Sequence, residues 1–260
     1  KQKMAIVKQD CDSFDVMPLD VAEESGKRIY QTTRIDKFLA SFSGGKDSQV
    51  VLDLCTRAIP PQDFEVIYSD TGYELPPSLQ LYKDIEEFYH EKYPELKFSV
   101  AKNHASVLSY WDKIGTPSDT HRWCCAVMKT GPLYRMLKTN DNKQARVLTF
   151  DGVRAEESTR RSGYSRIGKG VKHSTVINAS PILYWNSVEI FLYLFKYHLP
   201  INKAYRQGMT RVGCLICPFS SEWNDMVSSK CYAENLKPFM ERIENFTAQS
   251  GIKDVKDYIK

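Results

Sequence analysis

A glycine-rich turn between an apolar segment and a helical pattern is the first candidate for chemistry. Residues 38–42 are apolar enough to form a short buried strand, and apolar residues recur at helical spacing from Gln49 onwards. Between them stand Ser43, Gly44, Gly45, Lys46, Asp47 and Ser48. Glycines bring backbone N–H groups close to an anion, and the start of a helix adds unpaired donors and partial positive charge. The turn predicts a phosphate cradle, although the Walker A sequence is absent; the alternative is a plain strand-to-helix turn.

Cysteine spacing indicates a second site. Four of the seven cysteines form two groups, an adjacent pair and a later Cys-x-x-Cys: Cys124, Cys125, Cys214 and Cys217. Four thiolates are the number that a [4Fe–4S] cluster or a structural zinc ion uses, so the pattern predicts one of these groups. Cys55 lies on the apolar face of the first helical pattern, which favours a core position. Cys11 and Cys231 have no such neighbours in the sequence.

A third polar segment follows a strand pattern at residues 146–151. It carries three arginines close together, preceded by a glycine: Gly152, Arg154, Arg160 and Arg161. Guanidinium forks match the oxygen geometry of phosphate groups, so these side chains are candidates for neutralising a leaving pyrophosphate. The alternative is a solvated basic loop. Further cations follow and could contact a polyanion: Arg166, Lys169, Lys172 and His173.

Strands must alternate with helices to bring these residues together. Apolar strand patterns recur with helical patterns between them, at residues 38–42, 63–70, 97–101 and 146–151. This alternation predicts an α/β fold, a parallel twisted sheet with helices on both faces. Ligands of such sheets bind beyond the carboxyl ends of the strands, so three turns should meet in one crevice. These turns are residues 43–48, 70–72 and 151–154.

Three parts are predicted along the chain. They are an N-terminal arm at residues 1–37 with one helix near residues 19–29, a nucleotide-binding α/β domain at residues 38–180, and a smaller helical part at residues 181–260 that carries the Cys-x-x-Cys. A net charge of +4 permits a nucleotide or nucleic-acid partner without requiring one. No apolar run is long enough to span a membrane and no signal peptide is visible, so we expect a cytoplasmic protein without a membrane partner.

The motifs together resemble a known family. Ser-Gly-Gly-Lys-Asp-Ser resembles the PP-loop of the ATP pyrophosphatase superfamily. With Asp-Thr-Gly at residues 70–72, the cysteine pattern and the Gly-Val-Arg stretch from Gly152, the chain is similar to the phosphoadenosine phosphosulfate reductase family. The cysteine pattern resembles both assimilatory adenylyl-sulfate reductases and the iron–sulfur proteins of DNA phosphorothioation, of DndC or SspD type. The resemblance implies an adenine nucleotide alpha hydrolase-like fold and favours a [4Fe–4S] cluster over zinc.

The resemblance also implies roles for the predicted site residues. The phosphates of ATP would be held by Ser43, Gly44, Gly45, Lys46 and Ser48. Asp47 would cap the following helix or orient Mg²⁺. The nucleoside pocket would be shaped by Asp70, Thr71 and Gly72, and Gly152 would also bind the nucleotide. The leaving pyrophosphate would be clamped by Arg154, Arg160 and Arg161.

The function implied in this way is an ATP pyrophosphatase that adenylates an acceptor, the DNA backbone, for sulfur insertion. A cysteine desulfurase and other sulfur-modification proteins would be its partners, and sulfur insertion into tRNA is a variant. Two alternatives stay open. One is a reductase of adenylyl sulfate or phosphoadenylyl sulfate, although no cysteine follows Cys231, where such reductases carry their nucleophilic cysteine. The other is a nucleotide-binding module with a structural metal site.

Overall fold

The computed structural model describes residues 35–138, 143–169 and 174–249. Within these ranges a mixed sheet carries helices on both faces, and a second group of helices packs beside it. Most of the N-terminal arm expected at residues 1–37, including its predicted helix, lies outside the described residues, as do Cys11, Lys172 and His173.

A six-stranded sheet forms the centre of the fold. In chain order its strands are β1 (Lys37–Phe42), β2 (Phe64–Asp70), β3 (Lys97–Lys102), β4 (Val147–Phe150), β5 (Ile167–Lys169) and β6 (Val176–Ala179). Their spatial order is β3-β2-β1-β4-β6-β5, and every neighbouring pair is parallel except β5 with β6. The predicted parallel sheet is confirmed. The sequence patterns did not indicate β5 and β6, because β5 has only three residues and β6 is interrupted by Asn178, whereas the equally short β4 ends in a clear apolar pattern.

Helices fill the connections between the strands. In chain order they are α1 (Lys46–Ala58), α2 (Pro76–His90), α3 (Val107–Ile114), α4 (Gly131–Met136), α5 (Thr159–Ser162), α6 (Ser187–Lys196), α7 (Glu222–Cys231) and α8 (Ala233–Gln249). A π-helical turn, Cys125–Thr130, leads into α4. Short 3-10 turns cover Pro61–Asp63, Ala155–Glu157 and Lys203–Gln207. Within the described residues, no helix is long and apolar enough to cross a membrane, and the cytoplasmic location stays a prediction.

The first core lies between the sheet and helices α1, α2 and α6. Side chains of β1 alternate, so Ala40 and Phe42 enter this core while Leu39 faces the opposite side of the sheet. On that opposite side, Leu133 and Met136 of α4 pack against a smaller cluster that contains Leu39. Helices therefore cover both faces of the sheet, as the alternation of strands and helices predicted.

A second core joins the segments around the cysteines to the C-terminal helices. Trp111 of α3, Trp123 and Leu215 lie in it together with Val227 of α7 and Phe239 of α8. Buried side chains from residues 182–199, which follow the predicted boundary at residue 181, belong instead to the first core. The described residues after 181 are thus divided between two cores, and a separate helical part that begins there stays a prediction.

Candidate active site

The turn after β1, residues 43–48, closes on itself through short-range hydrogen bonds, and it is called the phosphate turn below after its predicted role. The Oγ of Ser48 accepts the backbone N–H of Ser43 over 3.1 Å, and its hydroxyl donates to the carbonyl of Gly45 over 2.9 Å. Gly44 has a φ of 75°, a conformation that glycine adopts without the steric cost of a side chain. Gly45 is the N-cap residue of α1. The strand, turn and helix N-terminus expected of an anion site are present, and phosphate binding by them stays a prediction.

Two residues from the later part of the chain brace this turn. The hydroxyl of Tyr205 accepts the backbone N–H of Lys46 over 3.0 Å. The amide of Asn202 donates to the carbonyl of Gly44 over 2.8 Å and to the hydroxyl of Ser78 over 3.0 Å. No sequence pattern pointed to Tyr205 or Asn202, because 159 and 158 positions separate them from their partners in the turn.

Asp47 lies between two cations. Its Oδ2 is 2.8 Å from Nζ of Lys46, and its Oδ1 accepts from Nε of Arg154 over 2.6 Å. The prediction that Asp47 caps α1 is wrong. Gly45 occupies the N-cap position, and the Asp47 carboxylate binds the two cations instead. Its expected part in orienting Mg²⁺ stays a prediction.

Arg154 is held by several partners at once. Besides Asp47, its guanidinium contacts Glu156 from Nη1 over 2.6 Å and the Ser187 hydroxyl from Nη2 over 3.1 Å. Burial works against its charge, but the carboxylates of Asp47 and Glu156 outweigh burial and hold the pKa of Arg154 above its usual value. Arg154 therefore fastens the loop after β4 to the phosphate turn.

The other two predicted arginines lie on the short helix α5, farther along the same loop. Arg161 forms an ion pair with Glu157, and Arg160 is exposed. Of the three arginines, Arg154 is the one bonded to the phosphate turn. A clamp on pyrophosphate formed by all three stays a prediction.

The turn after β4 packs directly on the phosphate turn. A Cβ atom at Gly152 would lie 2.9 Å from the carbonyl carbon of Asp47 and 2.9 Å from the nitrogen of Ser48, so a side chain cannot be placed there without movement of the backbone. The ends of β1 and β4 therefore meet in one crevice, as their places in the sheet predicted.

The turn after β2 is stabilised by its own side chains. Oε1 of Glu74 accepts one hydrogen bond from the backbone N–H of Thr71 over 3.0 Å and another from the Thr71 hydroxyl over 2.6 Å. The carboxylate of Asp70 accepts a hydrogen bond from the backbone N–H of Gly72 over 3.0 Å. Because β2 pairs with β1, this turn stands at the same edge of the sheet as the phosphate turn. Its role in a nucleoside pocket stays a prediction.

A cavity of about 520 Å³ lies on the sheet face opposite α1. Its apolar floor includes Leu39, Ile67 and Val176 of the sheet and Leu133 of α4. Its polar wall consists of side chains near the carboxyl ends of β1, β4 and β6, which are Ser41, Thr149, Asp151, Asn178 and Ser180. A mostly apolar cavity of this size with a few convergent polar groups is typical of a small-ligand site. Of these five residues the sequence analysis included only Asp151, in the turn at residues 151–154, and two of the others, Asn178 and Ser180, depend on the unpredicted strand β6.

Asp151 brings a carboxyl group into this cavity. Its Oδ1 accepts the hydroxyl of Ser180 over 2.7 Å and the backbone N–H of Val153 over 3.2 Å. Removal from water raises the pKa of Asp151, and these two donors and the charge of Arg161 lower it without cancelling the effect. The carboxyl group is therefore placed to accept a hydrogen bond from a hydroxyl or amino group of a ligand.

The four cysteines predicted as ligands lie in one neighbourhood. Cys124 and Cys125 stand at the start of the π-helical turn, and Cys214 forms a backbone bridge with Glu74. A hydrogen bond with Cys125, burial and the charges of Cys125 and Cys214 raise the pKa of Cys124. Cys214 keeps an exposed surface, yet desolvation by the surrounding protein, with the charges of Cys217 and Glu74, raises its pKa to about 12. The thiols are therefore close enough to disfavour ionisation of one another.

These thiols match a four-thiolate group in number and type. Within residues 35–138, 143–169 and 174–249, no set of three or more His, Cys, Asp or Glu side chains is arranged to hold a single metal ion. A zinc ion binds each of its thiolate sulfur atoms at a Zn–S distance of about 2.3 Å, all around one centre. A [4Fe–4S] cubane binds each thiolate at a different iron corner and keeps the sulfur atoms farther apart. The choice between a [4Fe–4S] cluster and zinc stays a prediction.

Lys129 connects the thiols with the cavity. It lines the cavity, and its positive charge acts to lower the pKa of Cys214. It belongs to the π-helical turn that begins at Cys125, so one short turn carries one of the thiols and part of the cavity wall. The phosphate turn, the cavity and the thiols are thus grouped around the carboxyl ends of the strands.

The chain is similar to known proteins over most of its length. The family model described as phosphoadenosine phosphosulfate reductase domain matches residues 37–220. An uncharacterized protein of Methanocaldococcus jannaschii is 34% identical over 183 residues, which are 69% of this chain and 36% of that protein. The chain thus spans about a third of the length of this archaeal relative. An adenosine 5′-phosphosulfate reductase of Geobacillus is 28% identical over 184 residues, which are 70% of this chain and 73% of that protein.

A solved structure supports the same fold. The phosphoadenylyl-sulfate (PAPS) reductase of Candida auris, in a phosphate complex, superposes with a TM-score of 0.52 at 18% sequence identity. The superposition covers 78% of this chain and 93% of that chain. At this identity the likeness concerns the fold alone, and it confirms the fold class that the sequence predicted.

Proposed function

The chain belongs to the phosphoadenosine phosphosulfate reductase domain family, and within it we propose an ATP pyrophosphatase that activates an acceptor by adenylation for sulfur insertion. The observation that carries this proposal is the closed phosphate turn, where Lys46 and Arg154 flank Asp47 at the start of α1. Two cations and a helix N-terminus match the charge of a triphosphate.

In the proposed reaction an oxygen atom of the acceptor attacks the α-phosphorus of ATP. The bond from that phosphorus to the bridging oxygen breaks, and pyrophosphate leaves with the electron pair. The acceptor becomes an adenylate, and a sulfur nucleophile then displaces AMP. Lys46 would stabilise the charge that develops on the leaving pyrophosphate. Mg²⁺ bound with ATP supplies further neutralisation, and Asp47 is the carboxylate that the phosphate turn offers for orienting it.

The cavity is the proposed place of the adenosine part of ATP. Its wall residue Asp151 directly precedes Gly152, whose backbone packs on the phosphate turn, so a ligand could reach from the cavity to that turn. Asp151 and Asn178 would accept and donate hydrogen bonds to the base or the ribose, while the apolar floor would exclude water from one face of the ligand.

The four thiols Cys124, Cys125, Cys214 and Cys217 would hold a [4Fe–4S] cluster, which when bound supplies a place for sulfur on its way to the acceptor. Lys129 would place positive charge between this cluster and the cavity.

The proposal extends to the DNA backbone as acceptor and to a cysteine desulfurase and other sulfur-modification proteins as partners. The exposed cations Arg160 and Lys169, close to the cavity in the sequence and fold, support a polyanionic acceptor.

A reductase of adenylyl sulfate is the second candidate. It is favoured by the relative from Geobacillus, whose name states that activity and which this chain matches over 73% of its length. Such a reaction needs a thiolate that attacks the sulfur of the nucleotide. Among the described cysteines outside the four-thiol site, Cys55 is buried in the first core and Cys231 is exposed at the end of α7.

Assays of protein purified without oxygen should distinguish the ATP pyrophosphatase from the adenylyl-sulfate reductase. We expect the wild type to convert ATP to AMP and pyrophosphate, faster with DNA present, and to release no sulfite from adenylyl sulfate with thioredoxin. Lys46→Ala should lower pyrophosphate release by about tenfold to a hundredfold, since a hydrogen bond to a charged group is worth about 1.5–3 kcal/mol. Lys237→Ala, an exposed change on α8, is the matched control.

Three results would contradict the pyrophosphatase. Sulfite release that disappears in Cys231→Ser would establish the reductase instead. ATP binding without turnover would favour a nucleotide-binding module with a structural metal site. Pyrophosphate release that is the same in Lys46→Ala and the wild type would show that the phosphate turn does not bind the nucleotide.

A further inference from the structure

Arg122 reaches both segments that carry the thiols. Its guanidinium lies over the ring of Phe219, with Cζ 3.9 Å from the ring centroid. Its Nη2 lies 3.8 Å from Sγ of Cys125, within donating distance for a sulfur acceptor. Phe219 stands two positions after Cys217, and Arg122 two positions before Cys124. A single side chain therefore connects the Cys-Cys segment to the Cys-x-x-Cys segment.

Apart from its contact with Arg122, the ring of Phe219 lies outside the packed cores. It is 49% exposed and does not belong to either core of the described chain. A ring this exposed contributes little to the stability of the fold, whereas its face attracts a guanidinium group through a cation–π interaction. The contact with Arg122 therefore accounts for an aromatic side chain at this exposed position.

The backbones of the two segments are fixed independently of Arg122. Trp123 and Leu215 are buried in the second core, and the indole N–H of Trp123 donates to the carbonyl of Gly115 over 3.1 Å. The backbone N–H of Leu215 also donates to the carbonyl of Tyr73. Loss of the Arg122 contacts should therefore leave the fold intact and change the thiol site alone.

We propose that Arg122 is a positioning residue of the four-thiol site, which it spans by stacking on Phe219 while its guanidinium donates to the sulfur of Cys125. This inference rests on the cluster proposed above. A cationic donor at a cluster sulfur stabilises the more negative, reduced state, so Arg122 also raises the reduction potential of the cluster. Lysine cannot replace it fully, because an ammonium group lacks the planar surface that stacks and donates at once.

The test uses anaerobically purified full chain in four forms beside the wild type: Arg122→Lys, Arg122→Gln, Phe219→Leu and Arg57→Lys. The last is the matched control, because Arg57 lies 3.9 Å over the ring of Tyr197, away from the thiols. Two quantities are measured on each: the rate at which a chelator removes iron, and the midpoint potential from the visible absorbance of the cluster. Thermal unfolding of each form checks that the fold is unchanged.

We expect Arg122→Gln to lose iron several-fold faster than the wild type and to show a more negative midpoint potential. Arg122→Lys should lie between them, because it keeps the charge and loses the stacking. Phe219→Leu should speed iron loss with a smaller shift of potential, and Arg57→Lys should match the wild type in both quantities.

Wild-type rates and potentials in both Arg122 variants would overturn the role of Arg122 while leaving the cluster in place. An equal change in Arg57→Lys would also overturn it, because the effect would then be general. A wild-type protein without iron would overturn the cluster itself, and the role of Arg122 with it.

Discussion

Nε of Arg154 lies 2.6 Å from Oδ1 of Asp47, although 107 positions separate the two residues in the chain. The contact joins the loop after β4 to the phosphate turn after β1, and both side chains are largely shielded from solvent. Because neighbouring parallel strands end at the same edge of a sheet, the two loops meet where a nucleotide of such folds binds. The pair therefore holds together the two halves of the proposed crevice.

Arg154→Ala should destabilise the protein strongly. It removes one of the two cations that hold the Asp47 carboxylate, and breaking a buried ion pair costs about 3–5 kcal/mol. Urea unfolding measures the free energy of unfolding. Arg160→Ala, an exposed change in the same loop, should stay within about 0.5 kcal/mol of the wild type. Equal effects of the two substitutions would contradict the structural role of Arg154.

Gly152→Ala should separate the loop after β4 from the phosphate turn. Its added methyl group would meet the backbone of Asp47 and Ser48 at 2.9 Å, and backbone atoms cannot move aside as a flexible side chain does. We expect a loss of about 1–3 kcal/mol in the free energy of unfolding and weaker ATP binding in calorimetry. Gly213→Ala, where a Cβ meets no atom within 4 Å, is the control. ATP affinity that is unchanged in Gly152→Ala would argue against binding at this turn.

Serine in place of Cys124, Cys125, Cys214 or Cys217 should remove the brown colour of anaerobic protein. A four-thiolate cubane requires all four ligands and about four iron and four sulfide ions per chain. Iron and sulfide assays with visible spectra measure the loss. Cys231→Ser, on the exposed end of α7, should keep the wild-type iron content. A colourless wild type that holds one zinc ion would contradict the cluster.

Asp151→Asn should change how stability depends on pH. Burial raises the pKa of Asp151, so the folded protein keeps this proton to a higher pH than the unfolded chain does. The resulting stabilisation is fully present below the unfolded pKa and is lost as pH rises through the folded pKa. Relative to the wild type, Asp151→Asn should therefore become more stable as pH increases from acid towards neutral, as urea unfolding across that range would measure.

Ser180→Ala provides the companion measurement. The Ser180 hydroxyl donates to Asp151 and lowers its pKa, so removing it should move the loss of stability to higher pH. Parallel pH profiles for the wild type, Asp151→Asn and Ser180→Ala would show that this carboxyl does not titrate as the structure indicates.

Several features followed from the sequence because they depend on neighbours in the chain. The bonds of Ser43 and Ser48 and the left-handed Gly44 lie within six residues, so their residue types alone indicate the phosphate turn. The parallel sheet followed in the same way, since periodic apolar patterns mark strands and helices one at a time. The cysteine spacing likewise indicated four thiols as one group, and the structure places them in one neighbourhood.

Other features arose only when distant segments packed together. Tyr205 and Asn202 reach the phosphate turn from the far end of the chain, and Arg122 meets Phe219 across the thiol site, with no periodic signal at any of these positions. Asp47 had the residue type of a helix cap, but α1 begins one residue earlier with Gly45 as its N-cap, and the Asp47 carboxylate forms an ion pair with Arg154 that local spacing could not show. The cavity depends on β6, a four-residue strand whose place is set by pairing with β4. Pairing and packing energies between segments, rather than local propensity, decided these parts of the site.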